Sequence, residues 1–151
     1  AAVAGLDNGE LLTIAKARKM FFGLLRENYR ILKAAGAPLE RLGPFHPDTV
    51  NRLLRLPLVA RLLAIPFSRT LRGTYCSMAG DLPNGPTELE NYNGHLLELA
   101  GDRSYPLNLA VYRVAQRVER EGYAPDHHWL DELMAAVERT RSPDRAIAGP
   151  G

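Results

Sequence analysis

A chain of 151 residues, 46% of them apolar, is long enough for one globular domain with a substantial core. A formal net charge of +2 is too small to imply a nucleic-acid or membrane partner. The single cysteine, Cys76, excludes an internal disulfide framework or a multi-cysteine metal site and fits a cytoplasmic setting. No apolar run is long enough to span a membrane, because Arg or Pro breaks each candidate.

Helical patterning dominates, and hardly any segment alternates in the manner of a strand, so the chain reads as all-α. The first helix is predicted from Gly9 to Ala35, capped by Asp7 or Asn8 and ended by Gly36. A Pro- and Gly-rich connector follows from Ala37 to Pro47. The segment from Asp48 to Leu71 is both leucine-rich and basic, and Pro57 and Pro66 are expected to cut it into short helices. The preferred reading buries one leucine face and leaves the arginines in water. The alternative is an amphipathic piece that docks on a partner or a membrane surface. Asp81 to Pro86 reads as a loop, and a helix follows from Thr87 to Ala100. Pro106 opens another, closed by Gly122, and the last helix runs from Asp126 to Arg139, burying Trp129, Leu130, Leu133, Met134 and Val137. The expected organisation is one helical domain over residues 1–147 with a frayed tail, Ala148–Gly151.

Chemistry is sparse on this reading. His46, His95, His127 and His128 have no ligand partner at a familiar metal spacing, so no metal site is expected. Cys76 lacks a nearby base that would activate it. No glycine-rich turn joins a strand to a helix, and the arginines do not alternate with aromatics as single-strand binding requires.

Two stretches carry more. Ser77-Met78, Asp81, Thr87-Glu88, Asn93-Gly94 and then Pro106 with Asn108 occur in that order, and Asn8-Gly9-Glu10-Leu11 precedes them by a helical interval. This pattern resembles the C-terminal domain of ketopantoate reductase (2-dehydropantoate 2-reductase). The resemblance implies a 6-phosphogluconate-dehydrogenase-like helical C-terminal domain that closes on an N-terminal Rossmann domain holding NADPH. A branched 2-oxo acid would lie in the cleft between them. It also implies that Asn8 and Ser77 bind substrate and that Glu88 lies by the cofactor. Asn93 and Asn108 are read as packing or capping residues.

Departures from the family pattern shape the expectation. The family's catalytic lysine precedes the matched segment, and Lys16, Lys19 and Lys33 do not sit in its motif. The interval from Ser77 to Glu88 is one residue shorter than usual, Tyr75-Cys76 replaces Arg-Ser, and the segment from Pro44 to Leu71 is longer and more apolar. The expectation is therefore a substrate-binding half, without a catalytic residue of its own and inactive alone, with its Rossmann partner outside this chain. No cofactor is expected on this chain alone. The rival reading is a non-catalytic module for homodimerisation or partner docking.

Overall fold

Where one long first helix was expected, two form. Helix α1 spans Asn8–Thr13 and α2 spans Ala15–Ala34, with Ile14 extended between them (φ −76°, ψ 119°). Neither Gly nor Pro marks the break. The Arg18 guanidinium closes it by donating to the carbonyls of Leu12 (3.0 Å) and Thr13 (3.3 Å). The cause is tertiary: α1 packs on α4 (Pro57–Thr70), whereas α2 packs on α5 (His95–Ala100) and α6 (Pro106–Glu121). The break frees α1 to follow its own partner. These assignments come from a computed structural model that describes residues 1–41, 45–82, 84 and 86–141. The tail expected over Ala148–Gly151 lies outside them.

The first cap is Asp7 and not Asn8. The Glu10 amide donates to the Asp7 carboxylate (2.7 Å), and the Glu10 carboxylate takes the Asp7 amide (3.2 Å), a reciprocal capping box. Helix α3, Pro47–Leu53, and α4 both begin on the prolines of their first turns, where the missing N–H costs nothing.

Pro66 was expected to end a helix and instead sits inside α4. Its absent N–H deprives only the Leu62 carbonyl, and Leu62 is exposed, so water can serve that oxygen. The burial of α4 also reverses the preferred sequence reading. Ala60, Ala64 and Ser68 face inward, while Leu58, Leu62 and Ile65 are exposed. The small face is needed because α1 comes very close. A Cβ on Gly9 would lie 2.5 Å from the Ser68 carbonyl oxygen and 2.8 Å from the Arg72 nitrogen.

A five-residue π turn, Glu90–Gly94, leads into α5. Helix α6 ends on Gly122 in the left-handed conformation (φ 65°), as its sequence predicts. Helix α7, His128–Arg141, returns along α6. Trp129, Leu130, Leu133 and Val137 are buried as expected, whereas Met134, also expected inside, is half-buried. The main core gathers Leu6, Leu11, Leu12, Met20, Val114, Val118 and Trp129 between α1, α2, α6 and α7. Among the described residues no strand forms, and no helix is long and apolar enough to cross a membrane.

Candidate functional site

The candidate site begins where the N-terminus of α1 is tied to the loop after α4. The Asp7 carboxylate accepts from the Gly73 amide (3.2 Å) as well as from Glu10. These amides, the Gly9 amide and the Arg72 charge together hold Asp7 below the usual carboxylate range, against the opposing effect of its burial, and the Glu10 bond contributes most. With Asp7 as the cap, Asn8 is released for another task. Its amide N–H₂ donates to the Thr74 hydroxyl (3.2 Å), and its backbone N–H donates to the Thr74 carbonyl (2.8 Å). The Thr74 hydroxyl in turn donates to the Leu71 carbonyl (2.6 Å). Asn8 is thereby fixed three residues from Ser77.

Ser77 opens a single 3₁₀ turn, Ser77–Ala79, and is exposed. Glu88 is exposed at the start of the next helical stretch, where the Leu89 amide donates to the Thr87 hydroxyl (3.1 Å) and the Glu119 carboxylate accepts the Thr87 amide. Among the described residues no hydrogen bond or ion pair occupies the side chain of Ser77 or Glu88. Their neighbours behave differently. Cys76, Met78, Thr87 and Leu89 all line one apolar cavity of about 150 Å³, which Leu11 and Asn93 also reach. Ser77 and Glu88 thus each stand on the outside of a turn whose flanking residues line the same cavity, whereas the neighbours of Asn8 do not reach it. Asn8, Ser77 and Glu88 are not bonded to one another.

Several of the remaining signature residues have structural work. Gly9 permits the close approach to α4, Glu10 completes the capping box and Leu11 is buried in the core. Asn93 is half-buried, and a Cβ on Gly94 would meet the Glu90 carboxylate at 2.5 Å. Glu90 is itself held by the Tyr112 hydroxyl (2.8 Å) and the Gln116 amide (3.1 Å).

Asn108 leads to a residue that the sequence reading passed over. Glu27, only 6% exposed, reaches from α2 to the N-terminus of α6. Its carboxylate accepts from the Leu107 amide (3.1 Å), the Asn108 amide (2.9 Å) and the Asn108 side-chain N–H₂ (3.0 Å). A negative group placed on the free N–H groups of a helix start satisfies those donors and complements the helix dipole. Pro106 fits beside it because the first helical position needs no N–H. The signal was available: Glu27 lies on the stripe Met20, Leu24, Ile31, where an acid has no solvent to face.

The sequence around Ser77 and Glu88 is acidic, with Arg72, whose charge acts on Asp7, at its edge. From Gly73 to Asp102 the sequence holds Asp81, Glu88, Glu90, Glu98 and Asp102 and no Lys or Arg. All four histidines are exposed, and no group of three or more potential metal ligands occurs among the described residues.

The family model described as "Ketopantoate reductase PanE/ApbA C terminal" matches residues 1–119, which include Asn8, Ser77, Glu88, Pro106 and Asn108. A search of curated proteins and a search of solved structures each found no match.

Proposed function

Because this chain belongs to the ketopantoate reductase family, as its C-terminal domain, we propose that it forms the substrate side of the cleft in an NADPH-dependent 2-oxo acid reductase. One observation carries the reading. Ser77 and Glu88 keep exposed side chains with no partner among the described residues, while the residues beside them are packed around one cavity. The Ser77 hydroxyl donates to the substrate carboxylate. Asn8, held by Thr74, offers its remaining amide positions to a substrate hydroxyl or carboxylate. Glu88 accepts from a hydroxyl group of the cofactor or substrate.

For NADPH the chain offers little more than Glu88. No cation lies between Gly73 and Asp102 to meet a phosphate, and no glycine-rich turn is present. The cofactor is therefore held mainly by an N-terminal Rossmann domain, and when bound it supplies the hydride that adds to the keto carbon. The proton for the resulting oxyanion comes from a general acid that these residues do not provide. The chain is proposed to be inactive alone because it brings neither that general acid nor the cofactor domain. The plausible setting is pantothenate biosynthesis in the cytoplasm.

The test is NADPH oxidation with ketopantoate by the full-length gene product and by this chain. Turnover is expected from the former only. Ser77→Ala is expected to lower kcat/KM by about 10- to 100-fold, the loss of one hydrogen bond to a charged group. Turnover by the chain alone, or an unchanged kcat/KM in both Ser77→Ala and Glu88→Gln, refutes the assignment. The second reading, a non-catalytic docking module, rests on the exposed leucines of α4.

A further inference from the structure

The outer face of α4 has a chemistry that the reductase reading does not use. Leu58, Leu62 and Ile65, spaced i, i+4 and i+7, form one stripe, and the buried Ala60, Ala64 and Ser68 form another roughly 130° away around the helix. Leu58 is 75% exposed and Leu62 65% exposed, and Leu56 is exposed just before the helix. From Thr49 to Gly80 the sequence holds Arg52, Arg55, Arg61, Arg69 and Arg72 with no Asp or Glu.

Beside this stripe lies a groove of about 570 Å³, lined by Lys19, Arg26, Arg55 and Arg61 above Phe22 and Met134. Leu58 and Arg61 belong to both surfaces, so the two are continuous. Glu138 is the one carboxylate among the groove's lining residues. Arg26 is half-buried, and its Nε is shielded from solvent with no hydrogen-bond partner. Burial and then the charges of Arg30 and Arg55 depress its pKa, as clustered cations do.

We propose that α4 and the adjoining basic groove dock this chain on a bilayer containing anionic phospholipid. The leucine stripe enters the interfacial layer, and the arginines and Lys19 take lipid phosphates, Arg26 from within the groove. Charge complementarity selects this occupant. A second copy placed face to face would set Arg55, Arg61 and Arg69 against their equivalents. A partner helix that offers only an apolar face leaves Lys19, Arg26, Arg55 and Arg61 of the groove without counter-charges, whereas lipid phosphates meet them. The inference does not depend on the reductase reading.

The test is co-sedimentation of the chain with vesicles of phosphatidylcholine alone and of phosphatidylcholine with one-third phosphatidylglycerol. Binding is expected only to the second kind and is expected to weaken as salt rises. Leu58→Gln with Leu62→Gln should weaken it about ten-fold or more, and Arg55→Gln and Arg61→Gln about five-fold each. Circular dichroism should be unchanged in all these variants, since the altered side chains are exposed. No binding to anionic vesicles at low salt overturns the proposal, as does binding indifferent to the leucine variants. A dimer in light scattering that Leu58→Gln with Leu62→Gln dissolves assigns the face to a second copy. Binding by this chain but not by a longer gene product assigns it to another domain of the same protein.

Discussion

Glu27 offers the most direct test of how this fold is held. Replacing it with Ala removes the acceptor for the Leu107 and Asn108 amides and for the Asn108 side chain, at 3.1, 2.9 and 3.0 Å. Asn108 is 1% exposed, so water does not replace the lost carboxylate without opening the α2–α6 contact. Each buried donor left without a partner costs about 1–3 kcal/mol, and a hydrogen bond to a charged group contributes about 1.5–3 kcal/mol. A total of about 3–5 kcal/mol is expected for Glu27→Ala, which also leaves a void beside Leu107. Glu27→Gln keeps one oxygen but turns an N–H₂ towards an amide donor, and is expected to cost about 1–3 kcal/mol. Urea unfolding followed by circular dichroism measures both. In a double-mutant cycle, Asn108→Ala should cost much less in the Glu27→Ala background than in the parent, because the bond it removes is already gone. A Glu27→Ala protein within about 0.5 kcal/mol of the parent would show that α6 does not need this carboxylate, and the account of Pro106 and Asn108 given above would fail with it.

Three further outcomes follow from the same geometry. Gly9→Ala places a methyl group against backbone atoms of Ser68 and Arg72 that cannot rotate away, so a loss of about 2–3 kcal/mol is expected in urea unfolding, and a neutral effect would disprove the close packing of α1 on α4. Asp7→Ala removes the capping box and the tie to Gly73 and should cost about 1–2 kcal/mol in the same assay. Asp48 is held at about 2 by hydrogen bonds from Lys33 first and Tyr29 second, so its stabilising effect is complete above the free carboxylate value of about 4 and fades as pH falls from there through about 2. The melting temperatures of the parent and Asp48→Asn should therefore differ at neutral pH and converge on acidification, and a constant gap would refute the pairing.

What could be read in advance depended on whether the decisive forces were local. Pro106 and Gly122 bound α6 because each acts on its own backbone, and the aromatic and leucine spacing of α7 reports its buried face directly. The break at Ile14 has no local mark. It exists because α1 and α2 have different partners, and the apolar spacing from Leu11 to Leu32 runs through it uninterrupted. Pro66 misled for the converse reason: its local rule is sound, but the carbonyl it orphans lies on an exposed surface where the cost is small. The inversion of α4 was hidden because hydrophobicity alone ranks leucine above alanine as a core residue. Contact with Gly9 selects the smaller side chains instead, since only they admit α1 at that distance.

The same distinction sorts the family signature. Gly9, Glu10, Leu11, Pro106 and Asn108 all have a structural task in this chain: close approach, capping, core, helix start and the seat for Glu27. They would be retained by any protein that keeps the fold, catalytic or not, and so they identify the architecture without arguing for the activity. Ser77 and Glu88 have no such task. Both are exposed and without a side-chain bond among the described residues, and replacing either should leave stability within about 0.5 kcal/mol of the parent. The reductase proposal assigns them a partner outside the chain, which makes them the positions on which that proposal stands. A loss of turnover in Ser77→Ala with unchanged urea unfolding would therefore separate function from fold. Equal loss of both would return Ser77 to the scaffold and leave the surface of α4 as the stronger claim to a role.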